Sequence, residues 1–131
     1  MTDFRPDGWP RLIPRLFAED AAGLVGFLRE VFGAEGESAD SRPSELRIGD
    51  SMLLVSEGGG VRQAGPAFLY IYVPDADRTW RAAVDAGATS LEAPVDMPYG
   101  DRRAMVRDPF GNTWQIATRK PASGPQPEVS C

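Results

Sequence analysis

The chain of 131 residues contains no histidine. That absence removes a Ser-His-Asp triad, a Cys-His pair, a histidine-ligated zinc and a histidine proton shuttle. There is one cysteine, Cys131, at the last position. It provides neither a disulfide framework nor a cysteine cluster for zinc or iron–sulfur. It also stands in the wrong place for prenylation, which needs a cysteine four from the end. No apolar run approaches the roughly 18 residues of a membrane span. The opening Met1-Thr2-Asp3-Phe4-Arg5-Pro6 lacks a basic-then-apolar leader pattern, so a cytoplasmic location is expected, with no membrane partner. Positive charge is also short. Fourteen Lys and Arg face 19 Asp and Glu, a net charge of −5, which argues against a nucleic-acid partner and favours solubility.

What is present is ordinary for a globular domain, with 42% hydrophobic and 25% charged residues. A chain of this length buries roughly two-thirds of its unfolded surface and needs no disulfide or structural metal. Two stretches echo each other in order. In the first, a strand-like run Leu12 to Phe17 leads to Glu19-Asp20, a periodic segment Ala21 to Phe32 and Gly33-Ala34. In the second, Ala67 to Val73 leads to Asp75-Ala76-Asp77, a periodic segment to Ala86 and Gly87-Ala88.

Leu24, Phe27, Leu28, Val31 and Phe32 recur at helical spacing between an Asp20 N-cap and a Gly33 stop. Trp80, Ala83, Val84 and Gly87 repeat the pattern, with Asp75 or Asp77 as the cap. Leu69, Ile71 and Val73 alternate with Phe68, Tyr70 and Tyr72. Further strand-like runs fall at 44–48, 51–55, 102–107 and 113–117, with Asp108-Pro109-Phe110-Gly111-Asn112 as a turn between the last two. Each half thus reads β-α-β-β, and the position of a further strand in the first half stays open. The organisation expected is a lead-in over 1–10, a first module over 11–57, a linker over 58–66, a second module over 67–119 and a disordered tail over 120–131.

Gly100-Asp101-Arg102, then Val106-Arg107-Asp108-Pro109-Phe110-Gly111-Asn112 and Trp114, resemble the C-terminal signature of the vicinal oxygen chelate superfamily, in its glyoxalase/bleomycin-resistance branch. Phe27 to Glu35 resembles that branch's first helix and exit, and Asp85-Ala86-Gly87-Ala88 resembles the second. The resemblance covers about residues 11–119. It implies an α+β fold of two paired βαβββ modules, forming a curved, mostly antiparallel sheet around a concave cavity, and commonly a homodimer.

Enzymes of this family hold a divalent metal in that cavity, with one ligand on the first and one on the last strand of each module. By the family's spacing, seven residues ahead of Asp20 and Asp75 lie Ile13 and Phe68. Four residues beyond Gly49 and Gly111 lie Leu53 and Gln115. Three hydrocarbons and one neutral amide cannot replace the water lost by Mg²⁺, Mn²⁺ or Ni²⁺, so no metal, no cofactor and no catalytic residue are expected. Glu19, Asp20, Asp75 and Asp77 read as helix caps, and Asp101 and Asp108 as turn residues.

Alternation then places Ile13, Arg15 and Phe17, Phe68, Tyr70 and Tyr72, and Thr113, Gln115 and Ala117 on the cavity wall. Leu12, Leu16, Leu69, Ile71, Val73 and Ile116 pack under the helices. Leu53 joins the wall by its position, and Tyr99 sits where a loop could close over it. An aromatic wall with one cation and a few amide or hydroxyl groups suits a planar, hydrophobic ligand. The expected function is sequestration of a drug-like compound or natural product, as in antibiotic resistance. The alternatives are a lyase, isomerase or dioxygenase-like enzyme with an atypical site, and an interaction module with a collapsed cavity.

Overall fold

The protein is described by a computed structural model covering residues 4–58 and 65–121. It divides into two compact units, Met1–Gly65 and Pro66–Cys131. Most of the linker expected over 58–66, nearly all of the tail over 120–131, and Cys131 itself lie outside the described residues.

In the first unit, β1 (Arg15–Ala18) leads to α1 (Ala21–Phe32), then β2 (Ser44–Ile48) and β3 (Ser51–Glu57). The helix begins where expected. Asp20 accepts a hydrogen bond from the Gly23 amide at 2.9 Å, a cap worth about 1 kcal/mol. It ends at Gly33, whose φ of 69° suits a residue without a Cβ. The periodic face of Leu24, Val25, Phe27, Leu28 and Val31 is buried and packs on a three-stranded sheet of order β1-β3-β2. β1 runs parallel to β3, and β2 antiparallel to it. The further strand of this half is reduced to an isolated bridge. Glu35 and Arg47 exchange backbone hydrogen bonds of 2.8 and 2.9 Å. Immediately after it, Gly36 passes so close to the Glu45 carbonyl that a Cβ would collide with it. Leu12 departs from expectation. It precedes β1 and is 85% exposed, so it does not pack under the helix.

In the second unit, β4 (Phe68–Tyr72) leads to α2 (Ala76–Asp85), and β5 (Thr89–Asp96), β6 (Asp101–Arg107) and β7 (Thr113–Arg119) join β4 in a four-stranded sheet of order β4-β7-β6-β5. The cap left open between two aspartates is Asp75, which accepts from the Arg78 amide. Asp77 instead receives Arg102 in a two-point ion pair of 2.6 and 3.0 Å. Arg102 also reaches Asp96, and Lys120 completes this surface chain. Both carboxyls are held below their ordinary range, first of all by the Arg102 hydrogen bonds.

β5 is the third strand that the βαβββ resemblance implies for this half, although no strand-like run marks it in the sequence. It carries Pro94, is broken by register shifts, and lies at the sheet edge, where a missing N–H leaves no ladder bond unmade. The α+β class and the helices are as expected. Among the described residues the strands form one open sheet in each unit, each with a single parallel pair.

The Asp108 turn anchors the second unit. Asp108 is buried. Its carboxyl accepts from the Phe110 and Asn112 amides, both at 2.9 Å, from Asn112 Nδ2 at 3.1 Å and from Trp114 Nε1 at 2.8 Å. Asn112 Oδ1 in turn accepts from the Ala67 amide at 3.1 Å, fastening the turn to the approach to β4.

Candidate functional site

In the second sheet the strand register decides which side chains share a face. β4 and β7 pair Phe68 with Thr113, Tyr70 with Gln115 and Tyr72 with Ala117. β6 adds Met105 opposite Gln115 and Arg103 opposite Ala117. The alternate set, including Trp114, Ile116, Ala104 and Val106, is buried on the side where α2 packs. The face away from α2 therefore presents Phe68, Tyr70 and Tyr72 together, 66%, 41% and 54% exposed. The rings of Tyr70 and Tyr72 lie 5.5 Å apart at a tilt of 60°. Thr113 and Gln115 are half-buried beside them.

Behind the tyrosines lies a residue that sequence reasoning assigned to a turn. Asp101 opens β6 and is 0% exposed. Its Oδ2 accepts from the Tyr70 hydroxyl at 2.6 Å and from the Tyr72 hydroxyl at 2.8 Å. Arg119 Nε stands 2.8 Å from Oδ1, an ion pair off the line of a hydrogen bond. Tyr99 sits in the turn joining β5 and β6, with its hydroxyl 3.3 Å from that of Tyr70. Arg103 Nη1 donates to the Tyr99 hydroxyl at 3.1 Å, and Arg103 Nη2 to Glu92 at 2.9 Å. Gly100 is required here. Its φ is 104°, and a Cβ would stand 3.0 Å from the Arg119 guanidinium, which donates to the Tyr99 carbonyl.

These contacts set the tyrosine chemistry. Desolvation, then the hydrogen bond to Asp101, push the Tyr70 phenol far above its ordinary value. The bond to Asp101 raises Tyr72 as well, against a smaller opposing pull from Arg119. Ionising either phenol would place a second negative charge beside a carboxylate. Both are therefore held as neutral donors, which excludes them as bases near neutral pH.

Six of the expected residues thus come together on one face: Phe68, Tyr70, Tyr72, Tyr99, Thr113 and Gln115. In the first unit, Arg15 and Phe17 share the face of the sheet away from α1. The Arg15 guanidinium lies 5.1 Å from the Phe17 ring centre and donates to Ser56 Oγ. Ile13 is half-buried ahead of β1. Leu53 is a correction. It pairs with Leu46 on the helix-covered side and is 6% exposed. Leu54, paired with Arg15, holds the corresponding place on the open side.

The positions that the family's spacing assigns to metal ligands are poor in donors. Ile13, Leu53, Leu54 and Phe68 supply no donor atom, and Gln115 supplies one neutral oxygen, so these residues do not fit such an ion. Among the described residues no three His, Cys, Asp or Glu side chains are grouped to hold a metal, and no helix is long and apolar enough to cross a membrane.

The family model described as Glyoxalase/Bleomycin resistance protein/Dioxygenase superfamily matches residues 13–116. An uncharacterized protein of Mycobacterium bovis is 31% identical, over 82% of each chain. Among solved structures, TioX from Micromonospora sp. ML1 matches with a TM-score of 0.66 at 23% identity, covering 84% of this chain and 98% of that one. The fosfomycin resistance protein FosX from Mesorhizobium loti matches with a TM-score of 0.63 at 19% identity, covering 83% and 91%.

Proposed function

From the premise that the chain belongs to the glyoxalase/bleomycin resistance protein/dioxygenase superfamily, we propose that it binds and sequesters a planar, aromatic small molecule without transforming it. The observation that carries this reading is the shared exposure of Phe68, Tyr70 and Tyr72 on one sheet face. Three aromatic rings left open to water cost hydration free energy unless a ligand covers them. Stacking on such rings adds about 0.5–1.5 kcal/mol per pair beyond burial. The donor set argues for a site without metal. Tyr70 and Tyr72, each giving its proton to Asp101, are poorly suited to the acid–base work that the lyase, isomerase or dioxygenase-like alternative would ask of this face.

Titration with a panel of neutral polycyclic aromatics, followed by NMR shifts, tests the reading. Phe68→Ala and Tyr70→Ala are each expected to weaken binding by roughly ten-fold, the equivalent of about 1.4 kcal/mol. Phe68→Ala should change folding stability by less than about 1 kcal/mol, since its ring is mostly exposed. Absence of binding across the panel, or binding indifferent to both changes, would count against the proposal. A homodimer, the assembly common in the family, accompanies this reading, and sedimentation at micromolar concentration decides between it and a monomer.

A further inference from the structure

The hydrogen bonds around Asp101 fix more than the position of the rings, because each phenol has only one proton to give. Tyr70 and Tyr72 both spend theirs on Asp101 Oδ2. The contact between the Tyr70 and Tyr99 hydroxyls needs one donor. Tyr70 has none left, so the Tyr99 proton points to Tyr70. Tyr99 in turn accepts from Arg103. The sequence of donors therefore runs from Arg103 through Tyr99 and Tyr70 to Asp101, with Tyr72 entering from the other side. All three phenol protons are committed inward. What the tyrosines can turn toward a ligand is oxygen lone pairs.

The charges nearby cancel. Arg103 is matched by Glu92 and Arg119 by Asp101, so the cluster presents no net charge to draw an anion. Gln115, the register neighbour of Tyr70, carries an amide that both donates and accepts and so does not discriminate.

We infer that the aromatic face of the second sheet selects neutral planar ligands bearing a hydrogen-bond donor, an aromatic hydroxyl or N–H, over equally flat ligands that only accept. Asp101 is the positioning residue for that selectivity. It touches no ligand, but by taking both tyrosine protons it turns their oxygens into acceptors. The inference rests on the stacking reading above and adds to it the polarity of the ligand.

The test compares naphthol with its methyl ether, a pair of the same flat shape that differs in the donor. Dissociation constants are measured by NMR titration of the full chain at neutral pH, with naphthoate as the anionic control. Naphthol is expected to bind roughly three- to ten-fold more tightly than the ether, the range of one net hydrogen bond. Tyr70→Phe and Tyr72→Phe are each expected to draw that ratio toward one. Equal affinities, a preference for the ether, or tighter binding of naphthoate would overturn the inference while the stacking reading stands. Failure of both naphthol and the ether to bind would overturn the two together. The wild-type ratio decides even where a variant folds poorly.

Discussion

Asp108→Ala is expected to destabilise the protein by about 3–6 kcal/mol. The carboxyl accepts four hydrogen bonds from the backbone and side chains of its own turn and from the Trp114 indole. Alanine removes every acceptor at once and leaves buried donors behind, each costing about 1–3 kcal/mol. Against a total stability on the order of 5–15 kcal/mol, the loss is large. Urea unfolding followed by tryptophan fluorescence measures it. Asp108→Asn keeps one acceptor oxygen and should lose roughly half as much. A loss below about 1 kcal/mol for the alanine variant would mean that water replaces the carboxylate in this turn.

Asp101→Ala acts on stability and on titration together. Removing a buried carboxylate takes the acceptor from two phenols and the countercharge of Asp101 from Arg119. About 3 kcal/mol is expected, at the low end for a broken buried pair because Arg119 is partly in solvent. The pH dependence follows from the raised tyrosines. In the folded protein Tyr70 and Tyr72 stay protonated above their ordinary pKa of 10.0. The unfolded chain ionises there, so above that pH the unfolded state binds fewer protons. The stabilisation is present in full below about pH 10 and is lost as pH rises further. Unfolding midpoints between pH 8 and 11 should therefore fall for the wild type and fall less for Asp101→Ala. Tyrosinate absorbance should appear at lower pH in the variant. Identical alkaline profiles would refute the role given to Asp101.

The parts of this molecule legible in its sequence are those governed by short-range rules. Asp20 and Gly33 bound α1 because a side-chain acceptor and a left-handed residue do their work within four positions of themselves. Phe68, Tyr70 and Tyr72 fall on one face because a strand repeats every two residues. Where the rule is long-range, reading failed. Gly100-Asp101-Arg102 carries a glycine and an aspartate, the composition of a turn. Only the pairing of β6 with β7, and the arrival of two tyrosines from β4, make Asp101 a buried hub. Two tyrosines and an aspartate at matching strand parity were the available signal. Leu53 follows from a count of four residues beyond Gly49, and a one-residue offset in such a count moves a side chain to the other face. Four successive apolar residues, Met52 to Val55, give no alternation to correct it, and the pairing with β1 puts Leu54 on the open side. The place of β5 is hidden in the sequence because Pro94 interrupts any strand-like pattern there, and its tolerance depends on lying at an edge.

In each unit the first strand lies parallel to the last. That arrangement sets an order of events during synthesis. Phe68 finds its partner Thr113, and the Ala67 amide its acceptor on Asn112, only across a separation of 45 residues. Contacts so distant along the chain are slow to form because loop closure precedes any gain from pairing. A chain emerging from the ribosome therefore carries its aromatic strand bare until β7 has cleared the exit. The interval is the period of greatest hazard for misassociation.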